Sequence, residues 1–194
     1  KLLKAFKKIN IETNIVLSGR TDKEVHATGQ VFNCLVPDYW IDFFKLKEVL
    51  NKNLPSSIKI LNISKVADDF HSRFHAKKRV YRYIITSKPT NPFNDKFITY
   101  VKNVDEELIK KAIKEFIGIY DFEYFHKTGS DKDITVREIF NTAFYKYKDI
   151  YVFKFTANSY LRSQIRLMVG FLLAINEKKL TIEDLKKQLR LEKN

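Results

Sequence analysis

Apolar positions recur along the chain with two periods, and the changes of period mark the elements. Leu2, Leu3, Phe6 and Ile9 follow helical spacing, so the chain opens in a helix. Asn14 to Ser18 and Gln30 to Val36 read as strands, the second stopped by Pro37. Phe44 to Leu50 suits a helix that ends before Asn53-Leu54-Pro55. Ile58, Ile60, Ile63 and Val66 alternate with polar neighbours and predict a strand, with Leu61 out of phase. Val80 to Ile85 is a further strand, rich in aromatic and β-branched residues. The run from Ser87 to Asn94 is the densest stretch of breakers and predicts a boundary between two halves, 1–88 and 89–194. After it, Asp105-Glu106-Glu107 opens a helix running to Gly118, with acidic residues where the helix dipole favours them. Thr135 to Tyr147 and Ile150 to Thr156 predict a hairpin around Lys146-Tyr147-Lys148-Asp149. Tyr160 to Ile175 predicts a long apolar helix. Thr181 to Leu191 predicts an amphipathic one, capped by Thr181 with Glu183 and Asp184 in its first turn. Helices mixed with hairpins in each half indicate an α+β class rather than regular βαβ winding.

Composition narrows the class. A chain of 194 residues, 44% of them apolar, can bury a core that needs no covalent staples. Its single thiol, Cys34, excludes a disulfide framework and a cysteine-based zinc site. No apolar run reaches the ~18 residues of a membrane span. Lys1-Leu2-Leu3-Lys4 carries no apolar secretion signal, so a cytoplasmic protein with no membrane attachment is expected. The charge is strongly positive, with 36 Lys+Arg against 23 Asp+Glu and a net +13. That balance suits a polyanionic partner, although a lysine-rich solvated surface would give it too. The eight Arg say more than the 28 Lys, because a planar fork is chosen where phosphate, carboxylate or base geometry matters.

Three segments carry candidate chemistry. Gly19-Arg20-Thr21-Asp22-Lys23-Glu24-Val25-His26-Ala27-Thr28-Gly29-Gln30 places a carboxylate and an arginine on an exposed loop between two strands. The loop reads as a site or as a turn with a surface ion pair. Asp68 to Tyr83 interleaves basic residues, for phosphate, with aromatic ones, for base stacking, and so suits an RNA surface. Within it His71 and His75 have i,i+4 spacing, but no further ligand pattern supports a metal site. Asn158 to Gly170 sets Arg166 among Ile165, Leu167, Met168 and Val169. A guanidinium buried there needs an anion such as the Asp22 carboxylate, whereas one at a helix edge can snorkel. No phosphate-cradling glycine loop, dinucleotide fingerprint, HExxH or GxSxG is present, so neither cofactor nor metal is expected.

Taken together, these segments resemble the tRNA pseudouridine synthase A family. The resemblance lies in residues 19–30, in Asp-Asp-Phe-His-Ser-Arg-Phe at 68–74, in Tyr-Arg-Tyr at 81–83 and in Gln-Ile-Arg-Leu-Met-Val-Gly at 164–170. Weaker echoes are Asn51 to Pro55, Asp121-Phe122 and Thr135-Val136-Arg137. The resemblance implies an isomerase that converts uridine to pseudouridine in the tRNA anticodon stem-loop, at positions 38 to 40. It implies a homodimer without cofactor, built of two α/β halves whose antiparallel sheets join into one around a cleft. It makes Asp22 the catalytic carboxylate, Tyr81 the residue stacking on the target base and Arg166 the ion-pair partner of Asp22. Arg20, Arg73, Arg82 and His26 become the base-flipping or RNA-binding side chains. Glu24 stands where the family usually has Gly. An earlier strand with a Tyr-Asp-Gly…Gly-Trp-Gln loop and a closing strand are missing from the pattern, so the sequence reads as a fragment. The alternative is a noncatalytic RNA-binding module, or an inactive fragment of such an enzyme.

Overall fold

Side-chain caps mark where three of the helices begin. Asp42 accepts from the Lys45 N–H at 3.0 Å and starts α2 (Phe43–Asn53), and Asp105 accepts from Leu108 at 3.0 Å and starts α3 (Glu106–Lys114). Thr181, the predicted cap, forms a reciprocal capping box with Asp184 at the head of α5 (Ile182–Leu189). The computed structural model describes residues 1–19, 21, 25–127 and 134–192. The chain divides into two compact units, Lys1–Ala76 and Lys77–Asn194.

In the first unit α1 (Leu2–Lys8) and α2 share a core of Ala5, Phe6, Ile11, Leu46 and Leu50. Phe32 meets Phe6 edge-on, with ring centroids 6.4 Å apart. That contact ties the core to a short antiparallel ladder, β1 (Val16–Leu17) with β2 (Phe32–Asn33). Both strands are shorter than their apolar runs predict. The strand expected over 58–66 does not form. Ile60 is buried there, but its N–H donates to Asn51 Oδ1 at 2.8 Å and its C=O accepts from Asn51 Nδ2 at 2.9 Å. At Ile60 one side-chain amide from α2 takes the place of a neighbouring strand.

The second unit is built on a sheet in the order β4-β3-β7-β6-β5. Its members are β3 (Arg79–Thr86), β4 (Thr99–Tyr100), β5 (Gly118–Asp121), β6 (Val136–Tyr147) and β7 (Ile150–Ala157). The pairing is antiparallel except for β4, which runs parallel to β3, so this sheet is mixed where an antiparallel one was expected. Among the described residues the strands form two sheets, one in each unit. β3 pairs with β7 over seven register positions, from Arg79↔Ala157 to Ile85↔Tyr151, and so belongs to the second unit. The division therefore falls ahead of the breaker stretch at 87–94.

The predicted hairpin turns at Lys148-Asp149, where Lys148 takes φ 52°. Gly118 does not end α3, as expected, but opens β5 at φ +133°. A Cβ at that position would stand 3.1 Å from the Tyr120 ring. The core gathers Phe116, Phe122, Phe125, Phe153 and Phe155, all fully buried, with the Phe116 ring edge-on to Phe125 and Phe155 at 5.4 and 6.3 Å. Thr142 Oγ1 on β6 donates to the Ile113 carbonyl at 3.1 Å and joins α3 to the sheet. The long apolar helix α4 (Gln164–Asn176) starts later than its hydrophobic run, because residues 158–163 form a turn. Ser163 there adopts φ 61°, and the Leu161 N–H donates to Gln164 Oε1 at 2.8 Å.

Candidate functional site

Arg20, Asp22, Lys23 and Glu24 lie outside the described residues. The flanks of their loop are described. β1 and β2 pair at Val16↔Asn33 and Leu17↔Phe32, the Ser18 N–H continues to Val31 O at 2.9 Å, and Gln30 Nε2 donates to Gly19 O. So short a ladder is weak by itself. It is braced by Ser72, which is buried: its N–H donates to Asn33 Oδ1 at 2.9 Å and its Oγ to Val16 O at 2.7 Å. One residue of the 68–74 motif thus grips both strands that flank the Asp22 loop. Ser72 and Asn33 were not singled out by sequence. A small hydroxyl residue inside a basic and aromatic run was the available signal.

Around Ser72 the chain folds into a tight turn rather than a helix. His71 Nδ1 accepts from the backbone N–H groups of Arg73 and Phe74 at 3.3 and 3.2 Å, and its ring stacks on Phe74 at 4.3 Å. His75 Nδ1 takes the His71 N–H at 3.4 Å. The Nδ1 lone pairs of both rings are thus engaged with the backbone. Among the described residues, no group of three His, Cys, Asp or Glu side chains is placed to hold a metal ion. Arg73 is exposed, with its guanidinium 5.7 Å from the Phe74 centroid, and His26 is exposed beyond the Asp22 loop.

In the second unit β3 separates residues that are adjacent in sequence. Strand side chains alternate between faces. Arg79, Tyr81, Tyr83 and Ile85 stand opposite Ala157, Phe155, Phe153 and Tyr151, on the core side. Arg82 is exposed on the other face, paired across the ladder with Lys154. Tyr81 and Arg82 therefore cannot serve one contact. Tyr81 is half-buried and meets Tyr160 edge-to-face, with centroids 5.0 Å apart and planes at 79°. The Tyr160 hydroxyl is buried without a hydrogen-bond partner among the described residues. Burial, with Tyr81 nearby as a lesser cause, pushes its pKa far above the ordinary tyrosine range, so it stays protonated. Tyr160 lies in the candidate segment 158–170, where the sequence gives it no role of its own beyond the start of a helix; an aromatic residue directly before an arginine-bearing helix is the signal for it.

Arg166 stands on α4 and is exposed, not buried as its apolar neighbours suggest. Gln164, Met168, Val169, Leu172 and Ile175 form the buried face, and the helical step turns Arg166, Leu167 and Gly170 away from it. The weaker motif residues also come together. Thr135 Oγ1 donates to Asp121 Oδ1 at 2.5 Å, and the buried Arg137 donates through Nη1 to the carbonyls of Ile134 and Val136. Burial lowers the Arg137 pKa, and the Asp121 carboxylate opposes that shift. This cluster closes the end of the β5–β6 ladder, where Asp121 pairs with Val136.

No helix among the described residues is long and apolar enough to cross a membrane. Residues 112–194 match the family model described as tRNA pseudouridine synthase. Over 188 residues the chain is 37% identical to the tRNA pseudouridine synthase A of Wolinella succinogenes, an alignment covering 97% of this chain and 74% of the relative. It is 36% identical over 197 residues to the enzyme of that name from Helicobacter hepaticus, covering 99% and 79%. To the one from Phytoplasma mali it is 37% identical over 189 residues, covering 96% and 77%.

Proposed function

The chain belongs to the tRNA pseudouridine synthase A family, and from that premise we propose that it isomerises uridine to pseudouridine in the anticodon stem-loop of tRNA, at positions 38 to 40. It works in the cytoplasm as a homodimer. The reaction breaks the C1′–N1 bond, turns the uracil and joins C1′ to C5, with the C5 proton lost and N1 protonated. Breaking the glycosidic bond develops oxocarbenium character, which a carboxylate answers. Asp22 is that carboxylate. Tyr81 stacks on the target uracil, and Arg166 is the cation that keeps the carboxylate ionised at neutral pH. A uridine in or beside a stem must first leave its stack, a step assigned to Arg20. Arg73, Arg82 and His26 contact RNA, with Arg82 on a different sheet face from Tyr81 and hence on a different part of the substrate.

The observation that carries this reading is the Ser72 brace. Two motifs separated in sequence, 19–30 and 68–74, meet in one unit, and the second holds the strands on which the first is mounted. A site needs its reactive group on a fixed base. The experiment is tritium release from tRNA carrying C5-labelled uridine. Asp22→Ala is expected to release none while binding tRNA nearly as well as the unaltered protein. Substantial release by that variant would sink the assignment. Tight tRNA binding with no release by the unaltered protein would favour the noncatalytic module.

A further inference from the structure

β3 decides where the Tyr81 Cβ lies, but not the tilt of its ring. The tilt is set by what the ring meets, and that is Tyr160, edge to face at 5.0 Å. Aromatic quadrupoles favour this arrangement over a flat sandwich. Tyr160 is itself held in the turn between β7 and α4. Arg79 Nη1 donates to Asn158 O at 2.7 Å, the Asn158 N–H donates to Glu138 O at 3.1 Å, and the Leu161 N–H donates to Gln164 Oε1 at 2.8 Å. The same turn leads into the helix that carries Arg166. The Tyr160 hydroxyl gains nothing from its place, since it is buried without a partner among the described residues. A phenylalanine would present the same ring without that penalty. What the fold keeps at this position is a flat ring at a fixed angle.

We propose that Tyr160 is a positioning residue for the isomerisation: it sets the plane of the Tyr81 ring on which the target uracil stacks and ties that plane to the turn that starts α4. The inference rests on the stacking role given to Tyr81 above. A leucine at 160 fills much of the space but leaves the Tyr81 ring free to tilt. Misplacing a reacting group by about 1 Å can cost on the order of a hundredfold in rate.

The test measures tritium release at limiting and saturating tRNA, together with thermal unfolding. Tyr160→Leu is expected to lower kcat by about tenfold or more with KM for tRNA little changed. Tyr160→Phe is expected to keep kcat and to raise the melting temperature by about 2–4 °C, as the orphaned hydroxyl is removed. Wild-type kcat in the leucine variant overturns the proposal. So does a phenylalanine variant as slow as the leucine one, because the hydroxyl and not the ring plane would then be at work. Should the leucine variant fail to melt cooperatively, Tyr160→Met, which keeps bulk without a flat ring, carries the same outcomes. Tyr81→Leu and Asp22→Ala are assayed alongside. Full activity in either removes the functional reading itself, whereas an inactive Tyr81→Leu beside a fully active Tyr160→Leu removes only the positioning role.

Discussion

Replacing Ser72 with alanine removes one oxygen from a site that is 2% exposed. The Ser72 N–H keeps its bond to Asn33 Oδ1, so the loss is confined to the 2.7 Å bond from Oγ to the Val16 carbonyl. A buried acceptor left without its donor costs about 1–3 kcal/mol. Val16 is only half-buried and can recover some of that from water, which places the expected loss at about 1–2 kcal/mol. The β1–β2 ladder has two register pairs, so this is a large share of what fixes it. Urea unfolding should show a lower midpoint with an unchanged slope. The rate of pseudouridine formation should fall on the order of tenfold, because the strands flanking Asp22 gain freedom. Asn33→Ala removes the other half of the brace, and the double variant should lose less than the sum of the two, as expected for groups that share one docking contact. A Ser72→Ala variant with the unaltered midpoint and rate would show that the turn at 71–74 does not support the loop.

Two further outcomes follow from contacts away from the loop. Asn51→Leu strips both hydrogen bonds from Ile60 and should cost about 2–4 kcal/mol, with faster amide exchange at Ile60 as its signature; unchanged exchange would refute the strand-substitute role of the amide. The Thr181 hydroxyl, and then its backbone N–H, hold the Asp184 carboxylate below the usual range. A depressed carboxylate stabilises the fold fully above its unfolded pKa, ~3.9, and loses that contribution as pH falls through the lower folded value. Amide protection at the head of α5 should therefore decay below about pH 4, and Asp184→Asn should flatten that dependence; an equally steep decay in the variant would rule the capping box out as its cause.

Much of the architecture was legible because local signals agreed with one another. At α5 a cap, two acidic residues and an amphipathic stripe point the same way, and the helix forms between the expected ends to within two residues. The β6–β7 hairpin is long enough for its alternation to outweigh an unremarkable turn sequence. Where a segment's bonding partner is not a strand with a pattern of its own, the reading failed. The apolar positions at 58–66 change phase at Leu61 and Ile63, and the hydrogen bonds of Ile60 come from Asn51, which no strand pattern contains. β4 is two residues long and parallel to β3, and so offers neither period nor hairpin turn. The site divides in the same way. Motifs name Asp22, Tyr81 and Arg166 as residues of interest, whereas Ser72 and Tyr160 act through contacts 56 and 79 positions away in sequence. The exposure of Arg166 could have been read from the helical wheel, since only one face of an apolar helix need be covered.

The alternation along β3 also guards against misfolding. Sliding β3 by one residue against β7 would exchange its two faces. Tyr81 would turn out to solvent, and Arg82 would swing in beside Phe153 and Phe155 with no carboxylate paired to it across the ladder. An uncompensated guanidinium in such a core costs several kcal/mol, a large part of a domain's net stability. The charge beside Tyr81 thus works as a proofreading device during folding: a chain that mispairs β3 with β7 leaves that charge uncompensated, whereas the native register keeps the tyrosine on the core side.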